Sequence, residues 1–352
     1  MIEIKNLGLQ LAQKDIFSDL NLDIKRGEKL GIVGGEGAGK SSLLDIISGR
    51  LIQTAGEVKV SGEVLTVTGN ISADFSELRM AEMSAIDKLK RTLRGLKDDE
   101  IILLLDEPTK NLDSYGVEWL IKFLRERPNL TTVIVSNDRY FLKSTCQKII
   151  RLGNSQAPKI NLHCAPADNS IALEVDELVK VYSGETVFQH VGFTIRQGQK
   201  VALVGRNEIG RSKLLKTLFS AWENHNSHGG AVHGKIKFAE GLKLAYMPRV
   251  YSSATAKLEL DKIQNNGANF LLLDAPTACL DLPMIEEFER ALVDFDGTII
   301  FSEDDRAFLQ AVANRIIDIT PNGTVDRISM YEDFLANETV NQQIREKYNH
   351  MP

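Results

Sequence analysis

Gly34-Gly35-Glu36-Gly37-Ala38-Gly39-Lys40-Ser41 fits the spacing G-x-x-x-x-G-K-[ST], and no other stretch limits the possible folds of this chain so tightly. The run before it, Lys29-Leu30-Gly31-Ile32-Val33, reads as a short buried strand. The run after it, Ser42-Leu43-Leu44-Asp45-Ile46-Ile47-Ser48, carries its apolar residues at helical spacing. Strand, loop and helix in that order make a phosphate cradle, because glycines let backbone N–H groups close around an anion and the helix N-terminus adds partial positive charge. Gly34, Gly35, Glu36, Gly37, Ala38, Gly39, Lys40, Ser41 and Ser42 are the candidate contacts, with Lys40 reaching the β/γ-phosphates and Ser41 a candidate Mg²⁺ ligand.

The same pattern returns. Gly205-Arg206-Asn207-Glu208-Ile209-Gly210-Arg211-Ser212 lies between the strand-like run from Lys200 to Val204 and the helix-like run from Lys213 to Phe219. Gly205 stands as far beyond Gly34 as Phe188 stands beyond Phe17 and Gly198 beyond Gly27. The chain is therefore a tandem repeat of one unit, and 352 residues suit about two domains. In the second copy Gly205, Gly210, Arg211 and Ser212 are the candidate contacts, with an arginine where the lysine belongs.

Each copy also has an apolar run ending in an acid. Ile101-Ile102-Leu103-Leu104-Leu105-Asp106-Glu107-Pro108-Thr109 delivers two carboxylates to the end of a buried strand, where ligands of parallel sheets bind. In phosphate-loop enzymes the first acid, here Asp106, supports Mg²⁺, and an adjacent glutamate, here Glu107, polarises water. The second copy reads Leu271-Leu272-Leu273-Asp274-Ala275-Pro276-Thr277 and lacks the glutamate. A helix is expected over residues 84–96, where Ile86, Leu89, Leu93 and Leu96 recur at spacings of three and four.

The order of these motifs, followed by Asn111-Leu112-Asp113 and Val135-Ser136-Asn137-Asp138-Arg139-Tyr140-Phe141-Leu142, resembles the ATP-binding-cassette ATPases. The Asp138-Arg139-Tyr140-Phe141-Leu142 ending is similar to their ABC-F subfamily, tandem-cassette proteins without membrane domains. Asp305-Arg306-Ala307-Phe308-Leu309 and the closing Tyr331-Glu332-Asp333-Phe334-Leu335 repeat the likeness. It implies an α/β fold of two tandem P-loop NTPase domains, each a mixed sheet flanked by helices, with a reduced helical subdomain. The expected division is a first cassette over 1–153, a linker over 154–170, a second, degenerate cassette over 171–335 and a tail over 336–352.

The resemblance also implies the ligands, ATP and Mg²⁺, and its departures matter. Asn137 stands where the family has a switch histidine, and Asp304 stands there in the second copy. Tyr182 keeps the aromatic that stacks on adenine, while Leu11 replaces it in the first copy. The glycine-containing signature is missing. Its nearest equivalents are Ser84 in the first copy and Ser252 with Ser253 in the second, Ser84 and Ser252 lying equally far ahead of Asp106 and Asp274. The stretch from Lys40 to Asp106 is short, and that from Arg211 to Asp274 shorter still, which leaves little room for a helical subdomain. The linker lacks the long basic hairpin of ABC-F ribosome factors.

Composition narrows the setting. No apolar run approaches the ~18 residues of a membrane span, the N-terminus does not read as a signal peptide, and the three cysteines form no C-x-x-C pair. A cytoplasmic protein is expected. The net charge of -6 disfavours generic nucleic-acid binding, so no direct DNA contact is expected. The expected function is ATP binding mainly at the first cassette with slow hydrolysis, Glu107 and Asn137 being the catalytic candidates, in a monomer whose cassettes pair intramolecularly. The expected partner is the ribosome or another protein. Alternatives are a nucleotide-dependent regulatory protein without ATPase activity and the ATPase subunit of a transporter.

Overall fold

The apolar runs beside the two Gly-rich loops become central strands of two sheets, each covered on both faces. The structure, a computed structural model, describes residues 1–11, 14–68, 85–94, 96, 101–110, 112, 114–153, 157–182, 185–205, 208–223 and 232–349. Ser84, Asn111 and Asp113 lie outside these, as do residues 154–156 and the side chain of Tyr182. Two compact units divide the chain, Met1–Gln156 with Asp281–Pro283, and Ala157–Leu280 with Met284–Pro352.

The first unit runs β1 (Ile2–Leu11), β2 (Lys14–Ile24), β3 (Lys29–Gly34), α1 (Lys40–Ile47), β4 (Ala55–Val60), β5 (Glu63–Thr68), α2 (Ala85–Thr92), β6 (Ile101–Asp106), α3 (Ser114–Arg125), β7 (Thr131–Val135), α4 (Arg139–Thr145) and β8 (Lys148–Leu152). A parallel sheet has the order β5-β6-β7-β3-β8, and an antiparallel one the order β2-β1-β4. Strands β4 and β5 are neighbours in sequence yet join different sheets, so Ser61-Gly62 is a crossing point and not a hairpin turn. Alternation along β6 explains the two covered faces. Ile102 and Leu104 pack with Leu43, Leu44 and Ile47 of α1 and with Ile2 and Ile4 of the antiparallel sheet. Leu103 and Leu105 pack with Leu120 and Leu124 of α3 and Phe141 of α4. Each such side chain contributes about 1.5–3 kcal/mol on full burial, and a parallel sheet needs both coats.

The second unit runs β9 (Ile171–Tyr182), β10 (Glu185–Arg196), β11 (Lys200–Val204), α5 (Glu208–Trp222), β12 (Val232–Phe238), β13 (Leu244–Met247), α6 (Ser253–Asn266), β14 (Phe270–Asp274), α7 (Leu282–Val293), β15 (Thr298–Ser302), α8 (Arg306–Val312), β16 (Arg315–Thr320), β17 (Gly323–Arg327), α9 (Tyr331–Ala336) and α10 (Glu338–Asn349). Its sheets have the orders β10-β9-β12 and β13-β14-β15-β11-β16-β17, the last pair antiparallel. The repeat extends to backbone outliers. Asn6 (φ 47°) and Asp19 (φ 53°) recur, at the offset that separates the two Gly-rich loops, as Glu177 (φ 46°) and His190 (φ 52°). These left-handed residues sit where the β1–β2 and β9–β10 registers shift, the mark of β-bulges.

Part of the segment expected as a linker belongs to the second unit. Ile160 and Leu162 are buried in its core, Ile160 N donates to Glu287 Oε1 at 2.9 Å, and Arg290 Nη2 donates to Ile160 O at 3.2 Å. Of the residues expected as a tail, Glu338–Asn349 form α10, whose Val340 is buried with Ile344 packed beside it at helical spacing. Of the helix expected over 84–96, Ala85–Thr92 is helical as α2, with Leu89 buried on it; Leu93, also buried, lies in the turn that follows, and residues 84 and 95 lie outside the described residues. Among the described residues no helix is long and apolar enough to cross a membrane.

Candidate functional site

In the first unit the loop between β3 and α1 places its glycines where other residues would not fit. Gly39 caps α1 at φ 83°, and a Cβ there would stand 2.5 Å from Ile16 Cγ2 and 2.8 Å from Phe17 Cε1. Gly37 is also left-handed, at φ 76°, with open space where its Cβ would be. The loop is thus backed by side chains on one side and bare backbone on the other. Lys40 Nζ donates to Gly34 O at 2.7 Å and Gly35 O at 2.8 Å, so the ammonium lies over its own loop. Glu36 is exposed, Gly35 and Ala38 are buried, and Ser41 and Ser42 follow Lys40 in the first turn of α1.

Strand β6 ends one strand away from β3, across β7, and brings the acids to the same sheet edge as the loop. Burial raises the Asp106 carboxyl above its ordinary value, and a hydrogen bond from Ser41 opposes the shift. Glu107 follows in a left-handed conformation, φ 48°, that turns its carboxylate towards the β7–α4 loop. There the N–H of Asn137 donates to Glu107 Oε2 at 3.4 Å. Burial pushes Glu107 up to about 7, with the Asn137 N–H opposing. Asn137 Oδ1 is buried with no hydrogen-bond partner. Burial lowers the Lys40 ammonium, and the nearby Glu107 charge opposes most. Lys40, Ser41, Asp106, Glu107 and Asn137 therefore converge from three loops. A strained backbone, a perturbed acid and an orphaned acceptor at one edge are what a phosphate-handling site would carry. The bare loop and the Ser41–Asp106 pair fit a triphosphate with Mg²⁺.

The family described as ABC transporter matches residues 17–97. The chain carries an ATP-binding-cassette ATPase domain. Alignments with its curated relatives run longer than the chain itself. The ATP-binding protein YkpA of Bacillus subtilis is 24% identical over 546 aligned residues, covering 99% of this chain and 100% of YkpA. The ribosome protection protein VmlR of Bacillus subtilis is 23% identical, covering 92% of this chain and 87% of VmlR. The energy-dependent translational throttle protein EttA of Haemophilus influenzae is 22% identical, covering 91% of each. Among solved structures, the archaeal ribosome recycling factor aABCE1, in complex with the stalk protein aP1, shares the fold at TM-score 0.63 and 15% identity, covering 95% of this chain and 92% of that one. An RNase-L inhibitor shares it at TM-score 0.62 and 16% identity, covering 90% and 89%.

The second cassette repeats the scaffold and changes the contents. Asp274 is buried and its Oδ1 accepts from Ser212 Oγ at 2.8 Å and Ser302 Oγ at 2.9 Å. Ala275 keeps the φ of 48° that Glu107 has, without a carboxylate. Helix α5 starts at Glu208, so residues 208–210, the counterparts of Gly37, Ala38 and Gly39, form its first turn. The sequence signal for this was the loss of the glycine at position 208, since a residue with a side chain does not take up the φ of Gly37 freely. Gly205 remains left-handed at φ 129°, against β16. Arg211 is 5% exposed, its Nη2 donating to Asp304 Oδ1 at 2.8 Å and its Nη1 to Glu303 O at 3.4 Å. Ser252 caps α6 by accepting from Thr255 N at 3.2 Å, and Ser253 is the first residue of that helix. Tyr182 ends β9.

Proposed function

We propose that this chain binds MgATP at its first cassette, hydrolyses it slowly there, and works at the ribosome as a nucleotide-dependent factor. The observation that carries the reading is the meeting of Lys40, Ser41, Asp106, Glu107 and Asn137 at one sheet edge, with Glu107 pushed up to about 7. Lys40 would place its charge on the β/γ-phosphates, and Ser41 with Asp106 would hold Mg²⁺, whose charge would offset that of the phosphates. A carboxylate that titrates near neutral pH is suited to taking a proton from water. Glu107 has the role of general base, and Asn137, with a buried amide oxygen left over, that of orienting the water. An asparagine cannot exchange protons as the histidine of the family can, so turnover is slow. Positioning and charge stabilisation supply most phosphoryl-transfer catalysis, and here Lys40, Ser41 and Asp106 would provide them at the first cassette.

The translation reading is supported by the names of the relatives, a ribosome protection protein and a translational throttle protein. Two experiments test the two levels separately. Calorimetric titration with MgATP on wild type, Lys40→Ala and Arg211→Ala should show one nucleotide per chain, lost only in Lys40→Ala; binding that survives Lys40→Ala and disappears in Arg211→Ala would overturn the site assignment. Sedimentation with ribosomes should show ATP-dependent cosedimentation, most of all for Glu107→Gln. A protein that stays in the supernatant under all nucleotide conditions would leave a second reading, a nucleotide-sensing regulator with another protein as partner. The replacements Ala275 and Arg211 favour that reading, since they remove the base and the lysine from one cassette.

A further inference from the structure

The two cassettes differ in what joins the loops around the phosphate position. In the first, Lys40 bonds to its own loop, Ser41 bonds to Asp106, and the Asn137 N–H meets Glu107 Oε2 at 3.4 Å. In the second, two carboxylates of the switch loop itself reach the acid turn and the arginine. Glu303, a buried residue, accepts from Thr277 N at 3.0 Å and Thr277 Oγ1 at 2.7 Å through Oε2, and from Asp304 N at 2.8 Å and Asp305 N at 3.3 Å through Oε1. This carboxylate clamps the turn after β14 to the loop after β15. The amide of Asp304 is the counterpart of the Asn137 amide that meets Glu107, so Glu303 stands in, as an acceptor, for the carboxylate missing at Ala275. The next residue completes the tie, because Asp304 meets Arg211 at the head of α5.

We propose that Asp304 is a built-in anion for the second phosphate loop: its carboxylate occupies Arg211 in place of a phosphate, and with Glu303 it holds the second cassette assembled without nucleotide. Three observations carry this. Arg211 has the sequence position of the phosphate-binding lysine, is buried, and directs its terminal nitrogens to the switch loop, the element that a lysine-bound phosphate would otherwise contact. The first turn of α5 takes up residues 208–210, the counterparts of residues that form the open cradle in the first cassette, so the two loops differ in backbone around the equivalent position of Lys40 and Arg211. Asp304 has a side-chain exposure of 69% against 7% for Arg211, so the carboxylate approaches from the solvent side, the direction from which an anion would enter. An ordinary exposed ion pair would add little. Here the arginine cannot turn to water, and removing its partner leaves a buried charge in need of another anion.

The proposal concerns the second site and stands apart from the role of Lys40. Its test is hydrogen–deuterium exchange on the full chain with MgATP or inorganic tripolyphosphate, against sodium chloride of matched ionic strength, read at peptides covering residues 34–42 and 208–215. In wild type neither ligand should slow exchange at 208–215; protection there as strong as at 34–42 would overturn the proposal. Asp304→Asn should speed exchange at 208–215 by about tenfold, and tripolyphosphate should reverse this in a saturable way. Loss of a merely structural contact would not be reversed by an anion. Asp304→Ser is the second variant, and since Asp304 is largely exposed both should fold. Exchange unchanged in both variants, or raised and indifferent to tripolyphosphate, refutes a built-in anion, whatever happens at 34–42.

Discussion

Glu107 should make the first cassette less stable as pH rises, and replacing it with glutamine should remove that dependence. Burial raises the carboxyl from 4.5 to about 7 in the folded chain. At about 1.4 kcal/mol for each tenfold change in the proton equilibrium, the ionised form costs about 3 kcal/mol relative to the unfolded chain. Because the folded value is the higher one, the neutral form is favoured by folding. Its stabilisation is complete below 4.5 and is lost as pH rises through about 7. Glutamine keeps an oxygen for the Asn137 N–H and carries no charge. Glu107→Gln should therefore exceed wild type in stability by about 1 kcal/mol near pH 5 and about 3 kcal/mol near pH 8. Urea unfolding followed by tryptophan fluorescence measures this. The chain has two tryptophans, and a Trp222→Phe background leaves Trp119 of α3 to report on the first unit. A stability difference that stays constant from pH 5 to pH 8, or a Glu107→Gln variant less stable than wild type, would refute the burial argument.

Turnover should carry the same ionisation. The ATP hydrolysis rate of wild type should rise with pH through about 7, while Glu107→Gln should bind MgATP and hydrolyse it at a rate no different from a protein-free blank; equal measurable rates in the two proteins would remove Glu107 from the role of base. Gly39→Ala should destabilise the first unit by about 2 kcal/mol or more, since φ 83° is unfavourable for alanine and its Cβ would meet Ile16 and Phe17; a midpoint within error of wild type would contradict the loop geometry. Asp305→Ala should cost about 1 kcal/mol in thermal unfolding, because the Asp305 side chain caps α8 by accepting from Ala307 N and Phe308 N. Light scattering should give the chain mass of 39.1 kDa across dilution, and twice that mass would count against pairing of cassettes within one molecule.

The strand, loop and helix around Lys40, the acid run ending at Asp106 and the offset of the two copies could be read from the chain because each is a local pattern: periodicity, glycine spacing and turn chemistry act over a few residues. The left-handed turn at Glu107 had no such signal, since nothing about a glutamate announces a positive φ. Nor did the packing of Ile160 and Val340, whose short apolar patterns find a surface only when the second sheet is built. Sequence showed that Arg211 had replaced a lysine and that Ala275 had lost a carboxylate. It did not show that Asp304, far along the chain, meets that arginine, or that Glu303 clamps the neighbouring turn. Those partners lie at the ends of different strands, and their meeting is set by the sheet order β14-β15-β11, a consequence of how apolar faces stack. The local motif determined which chemistry could be attempted at each loop, and the tertiary structure decided which charges face one another there, because strand order and burial depend on the whole core.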